Sequence, residues 1–64
     1  MNEIIKEWLR EMYKDAISES EAAIANERIW QKGAETDAAI AMHEQNIQTL
    51  EEYIEVLEKK LESL

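Results

Sequence analysis

The sequence predicts an all-α fold: an antiparallel, coiled-coil-like two-helix hairpin that dimerises into a four-helix bundle. The 64 residues include one Gly and no Pro, a composition typical of long helices. The second half carries a heptad repeat of apolar residues, and a short segment with helix-ending and helix-starting residues separates the halves. We expect one domain over residues 1–64, with helix 1 over about 2–32, a turn over 33–36 and helix 2 over about 37–64.

The heptad repeat of the second half defines a seam. One seam position holds Ile40, Ile47, Ile54 and Leu61, and the other holds His43, Leu50, Leu57 and Leu64. Alternating steps of three and four residues over about four heptads keep such a seam turned toward a partner helix.

The first half has a looser helical stripe of apolar residues, formed by Ile5, Leu9, Met12, Ala16, Ala23 and Trp30. Ser20 and Glu27 are its polar members, and Trp30 is expected in the core. The stripe and its flanks cover well over about 100° of the helix, which predicts contact with more than one neighbouring helix.

The turn is predicted from residues 32–37. Gly33 can take the left-handed cap conformation, and Lys32 complements the C-terminal dipole of helix 1. Thr36 can cap helix 2, and Asp37 suits its first turn. Helices of nearly equal length then pair along their whole length in an antiparallel hairpin.

The expected register places residues opposite each other when their numbers add up to about 69 or 70. Glu27 then meets His43, and Ala16 meets Ile54. We expect Glu27 and His43 to form a polar layer in the core that fixes register and oligomeric state. A metal site would need a further ligand, such as a Glu three residues before His43, but that position is Ile40.

No catalytic site, metal or cofactor is expected. The five Ser and Thr residues share one His, and no Gly-rich loop accompanies them. A hairpin also has no enclosed cleft of its own. We therefore expect a binding protein rather than an enzyme.

Aromatic and branched residues on the flanks of the helices are the candidate interface with a second hairpin or a partner, because such residues are enriched at interfaces. The candidates are Trp8, Tyr13, Ile17, Ile24, Tyr53 and Val56. The alternative is that they only shade the rim of the core.

The charge is strongly acidic, with 15 Asp and Glu against 7 Lys and Arg and a net charge of −8. Residues 33–58 hold no Lys or Arg, so helix 2 should project a negative field. A dimer of such hairpins resembles the ROP-type plasmid copy-control family in size and layout. That family binds RNA through a basic, aromatic surface, whereas the acidity of this chain disfavours direct nucleic-acid binding.

Three functions are compatible with these features. The leading hypothesis is a small oligomeric protein that binds and inhibits another macromolecule with a basic surface, as phage or mobile-element anti-defence and regulatory proteins do. The second is a sponge for an anionic small molecule or signalling nucleotide, held between hairpins by Arg28, Trp30, Lys32 and His43. The third is a purely structural assembly module.

The expected location is the cytoplasm, because the sequence has no Cys and begins with no recognisable secretory leader. Its longest apolar run, residues 38–42, is far shorter than the roughly 20 residues of a membrane-spanning helix. We expect no contact with a membrane.

Overall fold

The computed structural model describes residues 2–64 and contains two helices, α1 (Glu3–Gly33) and α2 (Asp37–Glu62). The helices pack against each other in a rod of 51 × 14 × 10 Å. The predicted all-helical hairpin is thus confirmed, and no strand occurs within residues 2–64. Neither α1 nor α2 contains an apolar stretch that could cross a bilayer.

Side chains cap both helices at their N-termini. The Asn2 side chain accepts a hydrogen bond of 2.7 Å from the N–H of Ile4, and Thr36 Oγ1 accepts one of 3.1 Å from the N–H of Ala39. Each bond satisfies a donor that has no partner within its helix. The cap at Thr36 therefore defines the start of α2 where the sequence predicted it.

The prediction of a left-handed cap at Gly33 is wrong. α1 continues through Gly33, which does not adopt a positive φ. The chain leaves the helix at Ala34, whose φ of −72° and ψ of 133° are extended, and the Ala34 N–H bonds to the Gln31 carbonyl at 3.2 Å. Extended residues complete the reversal because the connection is long enough to need no left-handed residue.

The core of the hairpin is small. Within the described residues, only Ile47 and Leu57 are buried apolar side chains, at 3% and 5% exposure. The buried Ser20 hydroxyl donates a 2.8 Å hydrogen bond to the Ala16 carbonyl. Two helices cannot enclose more, since each has only one neighbour. Several large apolar side chains of α1 therefore remain exposed, including Ile5, Trp8 and Met12.

The prediction that Trp30 lies in the core is also wrong, because its side chain is 56% exposed. Near the turn, the inward side chains of α1 are Glu27 and Gln31, which bond to α2. Trp30 precedes Gln31 by one residue and thus lies about 100° to its side.

Candidate functional site

The polar layer lies in the part of the hairpin nearer the turn. His43 Nδ1 is 2.6 Å from Glu27 Oε2, and Asn46 Nδ2 donates to the same oxygen at 3.3 Å. The Glu27 and His43 side chains are 14% and 16% exposed. An ionised carboxylate can only accept, so the bonding proton is on His43 Nδ1. The structure thus brings together the two residues that the register placed opposite each other.

Further side chains join the helices beside this layer. Gln31 Nε2 donates to the Ile40 carbonyl and to Glu44 Oε2, both at 3.2 Å. The rings of Trp30 and His43 are tilted by 44° with their centroids 6.2 Å apart. No buried side-chain polar atom among residues 2–64 is left without a partner, so the layer carries no desolvation penalty from an unpaired group.

The pKa of Glu27 lies below its ordinary value of 4.5, chiefly because His43 donates a hydrogen bond to the carboxylate. Burial opposes this shift, whereas the Asn46 hydrogen bond and the charge of His43 reinforce it. The unfolded chain therefore binds a proton at Glu27 more readily than the folded chain does. This contribution to stability is complete above pH 4.5 and is lost as the pH falls through the native pKa.

Acidification should reveal this linkage. We expect the Tm of the wild-type hairpin to fall more steeply below pH 4.5 than the Tm of Glu27→Gln, which has no carboxyl group to protonate there. Thermal unfolding, followed by circular dichroism from about pH 3 to about pH 7, measures the slope of Tm against pH for both proteins. Glu52→Gln, which removes an exposed carboxylate, should keep the wild-type slope. Parallel profiles for wild type and Glu27→Gln would contradict the assignment.

A groove between the helices is the first of two candidate binding surfaces. We term it the acidic groove; it has a volume of about 400 Å³ and is lined by Ile17, Glu21, Ile24, Glu51, Ile54 and Glu58. It includes Ile17 and Ile24 from the predicted interface. The three carboxylates were not predicted as site residues, although their helical spacing from these isoleucines was available in the sequence.

The second surface lies on the opposite flank of the hairpin. Trp8 and Ile17 are nine residues apart, about two and a half turns, and therefore point in opposite directions. On α2, Tyr53 and Glu51 are two residues apart, or about 200°, so Tyr53 faces away from the acidic groove. We term this surface the aromatic face; its exposed members are Trp8, Met12, Trp30, Met42, Tyr53 and Val56.

The predicted interface is therefore divided between two surfaces. Trp8, Tyr53 and Val56 belong to the aromatic face, whereas Ile17 and Ile24 line the acidic groove. The sequence predicts these isoleucines in one candidate interface with Tyr53 and Val56, whereas the structure places the two pairs on different surfaces. The remaining residue of that interface, Tyr13 on α1, is half-buried.

The candidate anion-binding residues do not converge. Arg28 and Lys32 each lie two residues from Trp30, and therefore about 200° around the helix from it. All three side chains are exposed, and His43 already contacts Glu27. Within one hairpin, these cations and the Trp30 ring thus face opposite sides of α1.

Comparisons of the chain with models of protein families, with curated proteins and with solved structures found no match. The functional proposal therefore rests on the geometry of the hairpin and its two surfaces.

Proposed function

We propose that the chain is a self-associating interaction protein, a dimer of hairpins in a four-helix bundle, which binds and inhibits a macromolecule with a basic surface. The observation that carries the proposal is the aromatic face. Its six large side chains are between 44% and 62% exposed, and their helical spacing places them on one flank. Large apolar side chains that are exposed together on one flank, in a cluster toward each end of the rod, favour an interaction site on a small protein.

The area of the aromatic face supports pairing with a second hairpin. The three aromatic side chains each present about 150–250 Å², and the two Met and one Val present less, so the six roughly half-exposed side chains offer on the order of 500 Å². A standard interface buries roughly 800 Å² per partner, and neighbouring residues can supply the difference. None of the six is charged, although Glu3, Glu7 and Glu11 lie beside Trp8.

The arrangement along the rod favours an antiparallel pair of hairpins. Trp8, Met12, Tyr53 and Val56 lie nearer the open end, whereas Trp30 lies nearer the turn. A two-fold axis across the rod places the open-end cluster of one copy against the turn-end cluster of the other. The product is a four-helix bundle with a shared core, which a hairpin with two buried apolar residues needs for stability.

The acidic outer surface supports binding to a basic partner. The net charge is −8, and residues 33–58 contain no Lys or Arg. A field of one sign steers oppositely charged macromolecules toward the protein and repels nucleic acid. By analogy, this is the property of acidic proteins that occupy a nucleic-acid-binding groove of their target.

Two experiments test the proposal: a measurement of the mass in solution, and a measurement of how salt releases a bound partner. Sedimentation equilibrium should give twice the chain mass of 7.5 kDa, and a persistent single-chain mass at high micromolar concentration would reject self-association. A basic protein retained by the immobilised chain from an extract of its native host should be released between about 50 and 200 mM salt. If the chain retains nothing at low salt, partner binding is rejected and a purely structural bundle is left.

A further inference from the structure

We propose that the acidic groove binds a basic amphipathic helix, presented by the partner of the proposed function on which this inference rests. The isoleucines Ile17, Ile24 and Ile54 form its apolar part. A helix with apolar side chains at positions i, i+3 or i+4, and i+7 can lay that stripe in a groove of this kind. The groove has a volume of about 400 Å³, which is room for the few large side chains of such a stripe.

Carboxylates stand on both sides of the isoleucines. Glu21 belongs to α1, whereas Glu51 and Glu58 belong to α2. Seven residues separate Glu51 from Glu58, which is about 10 Å or two turns along the rod. A docked helix should therefore carry Lys or Arg on both sides of its apolar stripe, spaced over about two turns.

These carboxylates are not neutralised within the hairpin. The Lys and Arg ion pairs among residues 2–64 join neighbours on one helix: Lys6 to Glu3, Arg10 to Glu7 and Lys59 to Glu55. None of these pairs includes a carboxylate of the acidic groove. A cationic side chain that enters the groove therefore gains a new partner without displacing an existing one.

A second copy of the chain is a poor occupant of this groove. A two-fold contact between two acidic grooves would set Glu21, Glu51 and Glu58 against the same residues of the other copy. Like charges brought together across an interface are strongly unfavourable. The six residues that define the aromatic face are themselves uncharged, with Glu3, Glu7 and Glu11 only at its edge beside Trp8, so the aromatic face suits a second copy better than the acidic groove does.

The test uses a synthetic 18-residue helical peptide with a leucine stripe flanked by Lys on both sides, and a second peptide with Glu in place of Lys. The chain variants are Glu21→Gln/Glu51→Gln/Glu58→Gln and the matched control Glu11→Gln/Glu35→Gln/Glu52→Gln, which removes three exposed carboxylates outside the groove. Fluorescence anisotropy at low salt measures binding. Both triple variants have the same net charge, so non-specific attraction is equal for the two.

We expect the Lys peptide to bind wild type and the control alike, and to bind the groove variant at least tenfold more weakly. The Glu peptide should not bind. Ile24→Ala should also weaken binding, whereas Ile29→Ala, a change outside the groove, should not. Circular dichroism establishes that each variant is folded.

Equal weakening in both triple variants, or no binding of the Lys peptide to wild type, would overturn the inference. In either case a double-chain mass and salt-sensitive retention of a host protein would leave the proposed function standing. A single-chain mass together with groove-dependent peptide binding would reject self-association and keep the acidic groove.

Discussion

Trp8→Glu is expected to convert the proposed dimer to a monomer of 7.5 kDa at micromolar concentration. Trp8 is 62% exposed on the aromatic face, and tryptophan is the residue most often responsible for binding energy at interfaces. The variant removes this apolar area and places a charge in an apolar contact. We expect the dissociation constant to rise on the order of 30-fold or more, measured by sedimentation equilibrium over a dilution series.

The matched control for this variant is Ile29→Glu. Ile29 is as exposed as Trp8 and lies on the same helix. It is two residues from the inward-facing Gln31 and so points away from α2. The change in charge is the same, and we expect the mass to stay at twice the chain mass. If Trp8→Glu also keeps that mass, the aromatic face is not the interface.

Ile47→Ala is expected to remove a large part of the stability of the fold. Ile47 is 3% exposed, and replacing a buried Ile by Ala lowers the free energy of unfolding by about 2–5 kcal/mol. A domain of this length has a total stability of roughly 3–10 kcal/mol. The higher helix propensity of Ala offsets only about a few tenths of 1 kcal/mol of this loss. We expect Tm to fall by more than about 10 °C.

Ile40→Ala is the control for this prediction, because it makes the same change at the first seam position of α2, where the side chain is 40% exposed. We expect the free energy of unfolding to fall by less than about half as much as it does at Ile47. The reason is that the partly exposed Ile40 side chain buries less apolar area. Denaturant unfolding at one fixed protein concentration measures both, because dimerisation makes stability depend on concentration. Equal losses at the two positions would show that the burial of Ile47 is not what stabilises the hairpin.

The fold and the polar layer could be predicted because the helix cap depends on residues close in the sequence. The antiparallel register follows from counting residues outward from the turn. Thr36 caps α2 as its hydroxyl and position suggest, and the antiparallel register brings Glu27 to His43. The long seam of α2 is read correctly at Ile47 and Leu57, which are buried. The cap depends on residues three positions apart, and the seam of α2 is read correctly over its central and later heptads, whereas Ile40 at its start is 40% exposed.

The division of the surface could not be predicted in the same way. Met12 and Trp30 are 18 residues apart, about five complete turns, so they share one side of α1. Both are exposed, which shows that the stripe drawn through them follows the flank rather than the core. A stripe wider than about 100° includes residues that face the core and residues that face the flank. Only the position of α2 distinguishes the two groups. The grouping of Ile17 with Tyr53 failed for the same reason.

The two ends of the hairpin are held together by different forces. Among residues 2–64, every side-chain hydrogen bond between the helices comes from Glu27, Gln31, His43 or Asn46, near the turn. Toward the termini the helices meet through apolar side chains such as Leu57. Hydrophobic contact weakens on cooling, whereas the polar layer weakens when Glu27 is protonated. Cold therefore loosens the hairpin from its free ends, and acid loosens it from the turn.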